Sequence, residues 1–404
     1  MIRKVMIFNN LYAPYIIGGA EKSTQILAEG LLKCGLEVSV VTTCNKDYTD
    51  IVNGVKVYYV RVPNLYWVYE CKRQSKLKKP FWHLIDSYNP FTGKIADILN
   101  KENPDIVHTN NLAGFSVSVW KLIKSRNIPI VHTLRDYYLL CPRAIMFNEK
   151  TLKNCEKQCL VCKFYSFPKK LLSNKVDAVV GISKFILNKH LNFGYFKNAL
   201  IKTYIYNPIV KKNNLPLNKN QSSKIRLGFV GLLSKQKGIE FILEKFVNLN
   251  MENIELHIYG RGITPEYEKF LKDKYSKYSN IFLHGFKKDE KEIYENIDIL
   301  IVPSLWNEPF GRVVVEAMLY KIPVLASNRG GIPELIIPGK NGYIFDLEKH
   351  GDFENKLVKT IELVRKENIC FDLYGFDISL VTKKYLEIYN KIANQVKTGY
   401  ALHN

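Results

Sequence analysis

Short runs of Val, Ile and Leu alternate along this 404-residue chain with stretches whose apolar positions recur every three to four residues. The runs Lys4–Phe8, Glu37–Thr43, Val55–Arg61, Asp105–Thr109, Pro129–Thr133 and Asp177–Gly181 predict strands. Segments such as Ala20–Cys34 and Gly114–Ser125 predict helices between them. Strands that are apolar almost throughout imply a parallel sheet covered on both faces. After Pro208 the polar stretch Lys211–Lys224 reads as a linker. A second series follows, with strands predicted at Ile225–Gly231, Glu255–Tyr259, Ile281–Leu283, Ile299–Val302, Pro323–Ala326 and Tyr343–Phe345. The pattern therefore predicts an α/β chain of two doubly wound domains, residues 1–208 and 225–380, joined by 209–224. Amphipathic Val381–Gln395 predicts a last helix, within 381–404, that docks back on the first domain. Ligands of such sheets bind at the carboxyl ends of the strands, so a cleft between the two domains is the expected site.

Composition narrows the class. Hydrophobic residues at 47% and charged residues at 24% fit a globular protein and exclude disorder. No uncharged apolar run approaches the ~20 residues of a bilayer-spanning helix. Met1–Phe8 is too short for a signal sequence, so a cytoplasmic location is expected. The eight cysteines are then expected as thiols or metal ligands. Net charge is +21, and it is uneven: residues 1–208 hold 30 Lys and Arg against 14 Asp and Glu. A bias toward Lys accounts for the total, but the excess in the front half points to an anionic partner.

The segment Asp298–Glu334 carries the most chemistry. Strand Ile299–Val302 leads through a Pro-containing loop to Glu308-Pro309-Phe310-Gly311 and a helix running to about Tyr320. Gly311 permits close backbone approach, and the first-turn amides of Arg312 and Val313, with the helix dipole behind them, suit a diphosphate. Glu308 precedes the helix and Glu316 lies inside it, so the two carboxylates can flank one elongated ligand and accept hydrogen bonds from sugar hydroxyls.

EPFGRVVVE (Glu308–Glu316) resembles the paired-glutamate motif of retaining glycosyltransferases of family 4, which have the GT-B fold. Gly18-Gly19-Ala20-Glu21 resembles that family's glycine turn, Val230–Gly238 its strand-turn with a phosphate-binding Lys, and Gly330–Phe345 the segment closing the nucleotide side. The resemblance spans nearly the whole chain and implies two Rossmann-like domains facing across a cleft. It implies a nucleotide diphospho-sugar donor held mainly by the second domain, and a glycan or lipid-phosphate-linked acceptor held mainly by the first. By position, Glu316 would bind the ribose, Glu308 the transferred sugar, and the amides from Phe310 to Val313 the diphosphate. Lys237 would neutralise charge on the leaving diphosphate, and no metal or other cofactor would be required for catalysis. Gly18 and Gly19 join this donor set. Two positions depart from the pattern. Leu232 stands where the family usually has Arg, which makes Arg261 a substitute diphosphate contact. Arg135 stands where many members place His, with His132 three positions earlier, so both are candidates for touching the donor sugar. Whether Glu308 acts as nucleophile or attack is front-faced, with the diphosphate taking the acceptor proton, is left open.

Two further features stand outside that frame. Cys141, Cys155, Cys159 and Cys162 are spaced for a structural zinc that staples a loop. Tyr66–Leu84 interleaves aromatics with Lys72, Arg73, Lys76, Lys78 and Lys79, a composition suited to a membrane interface. Peripheral contact with anionic lipid at the inner face of the cytoplasmic membrane is therefore expected. Single-stranded nucleic acid would also fit that stretch, but a nucleic-acid partner rests on charge alone and is not expected. The competing readings are a sugar-nucleotide epimerase and a non-catalytic GT-B-fold partner or glycan-binding protein; the expected role is a hexosyltransferase of surface polysaccharide biosynthesis.

Overall fold

The computed structural model describes residues 2–62, 64–210, 224–249, 251, 253–365 and 369–401. Most of the expected linker, 211–223, lies outside the described residues. The strands begin with β1 (Lys4–Asn9), β2 (Glu37–Cys44), β3 (Tyr48–Val52), β4 (Val55–Arg61), β5 (Ile106–Thr109) and β6 (Ile130–Leu134). A hairpin of β7 (Phe147–Asn148) and β8 (Lys153–Asn154) precedes β9 (Ala178–Gly181) and β10 (Ile201–Tyr204). Then come β11 (Ile225–Val230), β12 (Ile254–Tyr259), β13 (Ile281–Gly285), β14 (Ile299–Val302), β15 (Val324–Ser327) and β16 (Gly342–Phe345). The helices of the first half are α1 (Gly19–Lys33), α2 (Lys78–Ser87), α3 (Gly93–Glu102), α4 (Ser118–Lys124), α5 (Leu160–Ser173) and α6 (Lys184–Asn192). Those of the second are α7 (Ile239–Val247), α8 (Pro265–Tyr275), α9 (Glu290–Tyr294), α10 (Arg312–Leu319), α11 (Asp352–Arg365) and α12 (Ile378–Ala401).

The chain forms two compact units. One comprises Met1–Met146, Glu156–Val210 and Tyr374–Asn404, the other Phe147–Cys155 and Lys211–Leu373. The return to the first unit thus starts at Tyr374, ahead of the expected Val381, and the β7–β8 hairpin groups with the second unit although it lies in the first half of the sequence.

The first unit is built on a sheet of order β10-β9-β6-β5-β1-β2-β4-β3. All its pairings are parallel except β3 with β4, which closes one edge as a hairpin. That edge strand was not expected, yet its signal is in the sequence: Asn53-Gly54 at the turn takes φ of 50° and 83°, the mirror-image turn that Asn-Gly favours. Its core joins Val5, Ile7 and Val40 of the sheet to Leu27 and Leu31 of α1 and to Val381, Tyr385, Tyr389 and Ile392 of α12. A buried polar chain ties α12 down. His108 meets the Tyr389 hydroxyl through Nδ1 and Thr133 Oγ1 through Nε2, both at 2.7 Å, and Thr133 meets Tyr385 Oη at 3.0 Å. The second unit has a parallel sheet of order β13-β12-β11-β14-β15-β16. Its order reverses between β11 and β14, where the first strand of the series meets the fourth, and the loops at their carboxyl ends make the candidate site.

Candidate active site

Two chain turns build the second unit's site. After β11 the chain passes Gly231 and Leu232 into a single helical turn, Lys235–Lys237, and Gly238 then opens α7. Gly238 is left-handed at φ 74°, and a Cβ there would lie 1.9 Å from the carbonyl oxygen of Pro303. That contact presses Lys237 against the loop leaving β14. The same loop is clamped at Glu308: Gly331 N–H donates to Glu308 O at 2.7 Å, and a Cβ on Gly330, φ 64°, would stand 2.1 Å from that oxygen. Glycines therefore hold both chemical residues by close backbone approach.

Lys237 Nζ lies 2.7 Å from Glu308 Oε1, and Ser304 Oγ donates to the same oxygen at 2.6 Å. Lys237 also sits 5.1 Å from the centre of the Trp306 ring. The Glu308 side chain is 9% exposed and that of Lys237 25%, so the pair is largely desolvated yet open on the lysine side. Both line a cavity of about 130 Å³, with Gly231, Leu232, Arg312 and Val313 on its other walls. Gly311, φ 108°, is the N-cap of α10, and the buried Pro309 and Phe310 carry the chain into it. The first amides of an α-helix have no partner within it, and its N-terminus carries partial positive charge. The cavity thus gathers a helix N-terminus, an ammonium and a carboxylate, an arrangement able to hold an anion beside a polyhydroxylated group. Glu316, further along α10, accepts from Arg312 Nε at 2.7 Å and from Tyr294 Oη at 3.3 Å. Tyr294 is buried, and burial holds its hydroxyl protonated by raising its pKa far above the ordinary tyrosine value. It therefore acts on Glu316 as a donor.

Several contributors were not foreseen. Ser304 and Trp306 lie between the expected strand and Glu308 and had only their nearness to it as a signal. Asn154, from the β7–β8 hairpin, donates to Leu305 O at 2.7 Å and accepts from Asn307 N–H at 2.8 Å. Nothing in the sequence near residue 154 points to that role. Arg261 does not take the place expected for it: its guanidinium stacks 4.1 Å above the Phe286 ring and is not among the cavity walls, so Leu232 is left without that substitute.

In the first unit, Gly18 is the extended N-cap of α1, which begins at Gly19, and its N–H donates to Glu21 Oε2 at 2.8 Å. Arg135, just past β6, is buried and fixed: Nε donates to Asn110 Oδ1 and Nη1 to Asn207 Oδ1, both at 2.8 Å. Burial pulls its pKa down from the ordinary arginine value. Burial also pushes the neighbouring Asp136 up to about 6. His132 is a core residue. Its Nδ1 meets Thr109 Oγ1 at 2.9 Å, its ring stacks on Phe196 and takes the Trp120 ring edge-on, and burial drives its pKa well down. That setting replaces the contact with ligand expected of His132.

Among the described residues, no three His, Cys, Asp or Glu side chains are grouped as a metal ion needs, so the four-cysteine zinc site does not fit this geometry. Cys155 groups with the second unit while Cys141, Cys159 and Cys162 group with the first. These three thiols bond to one another instead: contact with Cys162 lowers the pKa of Cys141 and raises that of Cys162, and the Cys162 amide lowers that of Cys159.

The family Glycosyltransferase Family 4 matches residues 17–209, and Glycosyl transferases group 1 matches residues 211–369. An uncharacterized 42.6 kDa protein in the cps region of Klebsiella pneumoniae is 36% identical over 95% of this chain and 99% of its own. The chain belongs to glycosyltransferase family 4. Within this family 4 chain, residues aligned with the lipopolysaccharide 1,2-N-acetylglucosaminetransferase of Salmonella typhimurium are 34% identical, over 35% of the chain and 40% of that protein. The fold is that of Anabaena Alr3699/HepE, solved in complex with UDP, with a TM-score of 0.67 at 18% identity over 96% of this chain and 100% of that one. The architecture of this glycosyltransferase is accordingly GT-B, with two Rossmann-like units.

Proposed function

We propose that this glycosyltransferase moves a hexosyl group, with retention at the anomeric carbon and without a bound metal, from a nucleoside diphospho-sugar to a glycan or lipid-linked acceptor of a surface polysaccharide. The observation that carries the reading is the Lys237–Glu308 pair, 2.7 Å apart, on the wall of a cavity shared with the first turn of α10. The amides from Phe310 to Val313 take the diphosphate, Glu316 the ribose hydroxyls and Glu308 the hydroxyls of the transferred sugar. The bond from the anomeric carbon to the phosphate oxygen breaks as the acceptor oxygen attacks from the same face, and the acceptor proton passes to the leaving phosphate. Lys237 and the helix N-terminus stabilise the charge that grows there, the kind of contribution that dominates many enzymes. Front-face attack is preferred because Oε1 of Glu308 already accepts from both Lys237 and Ser304, which weakens it as a nucleophile. The first unit, with Arg135 held by two asparagines, supplies the acceptor side. The Klebsiella and Salmonella relatives support a surface-polysaccharide setting, and the UDP complex of the Anabaena neighbour supports a nucleoside diphosphate.

The test is calorimetric titration of the full chain with UDP, ADP and GDP, on wild type and Glu316→Ala. One nucleotide should bind the wild type and lose about tenfold or more in the variant, the worth of a charged hydrogen bond. Binding of none of them would overturn the reading and leave a non-catalytic glycan-binding protein. With the matching sugar donor, proton NMR of the product should show the donor's anomeric configuration, with turnover unchanged by EDTA.

A further inference from the structure

Helix α5 is inside out. Its buried positions are Ser166, Lys169 and Ser173, whereas Leu160, Phe164, Phe167 and Leu171 are from 56% to 83% exposed. Those four are spaced i, i+4, i+7 and i+11, the single stripe by which an amphipathic helix normally meets a core. Helix α2 and its flanks repeat the pattern at the same spacing, with Leu77, Phe81, Leu84 and Tyr88 exposed while Trp82, Asp86 and Ser87 are buried. The two helices are held side by side from within. Lys169 Nζ lies 3.8 Å from Asp86 Oδ2, both fully buried, and Tyr165 Oη donates to Pro80 O at 3.2 Å. Between them opens a groove of about 660 Å³ walled by Leu84, Tyr88, Phe164 and Phe167, with Lys163 at its edge. An apolar face of this extent on a folded unit marks a binding surface.

Charge tells what covers it. From Gln74 to Phe91 and from Leu160 to Val176 the one acidic residue is Asp86, which is buried. Lys76, Lys78, Lys79, Lys163 and Lys170 are exposed around the apolar stripes. Lys72 and Arg73, expected to contribute, lie outside the residues whose side chains are described. A second copy of the chain on this face would set lysine against lysine. A lipid surface matches both properties at once, with acyl chains for the aromatic stripes and anionic headgroups for the lysines. Among the described residues no helix is long and apolar enough to cross a membrane.

We propose that the paired faces of α2 and α5 seat the first unit on a bilayer containing anionic lipid, with an acyl chain entering the groove between them. This does not depend on the donor chemistry and is measured without donor or acceptor. The test floats the full chain with phosphatidylcholine vesicles, with and without phosphatidylglycerol. Wild type should float with the anionic vesicles and remain below with the neutral ones. The variant Phe164→Ser/Phe167→Ser changes exposed side chains, so it should melt like wild type yet lose about tenfold or more in vesicle affinity. The variant Lys78→Glu/Lys79→Glu/Lys163→Glu should lose about 100-fold, from about 1 kcal/mol per lysine near an anionic surface. No flotation of wild type, or flotation that both variants retain, would overturn the proposal. So would light scattering that shows a wild-type dimer split by the phenylalanine variant, since the face would then be an interface between copies.

Discussion

Replacing Lys237 by Met, a side chain of similar length without charge, isolates one electrostatic contact. At 2.7 Å and an effective dielectric of about 20, two unit charges attract by about 6 kcal/mol. Desolvation offsets most of that, and breaking a fully buried pair costs about 3–5 kcal/mol. Because Lys237 is a quarter exposed, water can reach the abandoned carboxylate, and the loss should be nearer about 2 kcal/mol. For a unit of this size that is a fall of about 4–8 °C in melting temperature. Glu308→Gln should cost a similar amount, and the double variant little more than either alone, giving a coupling energy of about 1–2 kcal/mol. Thermal unfolding of the four proteins without nucleotide measures it. Additivity within about 0.5 kcal/mol would refute the pair as an energetic unit. The same Lys237→Met protein should bind the matching nucleoside diphosphate about 10- to 100-fold more weakly. Unchanged affinity would remove Lys237 from the diphosphate site while leaving the stability argument intact.

Other outcomes follow from the same geometry. Gly330→Ala, φ 64° with a Cβ 2.1 Å from Glu308 O, should cost about 2 kcal/mol more than Gly285→Ala, whose φ of 70° is similar but whose Cβ meets open space; equal losses by denaturant unfolding would sink the clamp. Stability should fall on acidification from pH 7.5 to 5. Burial pushes His108 down to about 3 and His190 to about 4, so below the ordinary histidine value of about 6.5 the unfolded chain binds the protons. Each then costs about 2 kcal/mol by pH 5, more together than the roughly 1.4 kcal/mol gained as Asp136, raised to about 6, takes up its proton in the folded state. Flat or rising stability over that range would contradict the burial of these rings. A chain ending at Leu373 lacks α12 and with it the buried Val381, Tyr385, Tyr389 and Ile392, each worth about 1.5–3 kcal/mol. Its first unit should fail to protect amides from hydrogen exchange, and wild-type protection would refute the assignment of α12 to that core.

What the sequence discloses follows the reach of each interaction. Strand β14, read as Ile299–Val302, has those bounds in the structure, because a buried parallel strand is written in consecutive apolar residues. Glu308 and Glu316 are legible because one short helix and its approach fix their spacing. Ser304 is less so, since its role depends on a loop that folds its hydroxyl back onto Glu308. Asn154 and the second-unit hairpin are not legible at all: their partners lie 151 and 153 residues away, and no local periodicity encodes so distant a contact. Arg261 and His132 show the converse, residue types that suit a ligand but are taken up by Phe286 and by the core. The inverted stripe of α5 is visible as an ordinary amphipathic period, and only burial reveals which side faces out.

The hairpin that carries Asn154 bears on how the polypeptide emerges from the ribosome. Each unit borrows a piece from outside its own stretch of sequence, the first from Tyr374–Asn404 and the second from Phe147–Cys155. During synthesis the first sheet waits, without α12 over its core, until the whole second unit has been made. A second half expressed alone from residue 211 would leave the Leu305 carbonyl and the Asn307 amide without their asparagine. Vectorial folding, one finished body after another, is closed to this chain; its two halves mature together at the moment of release.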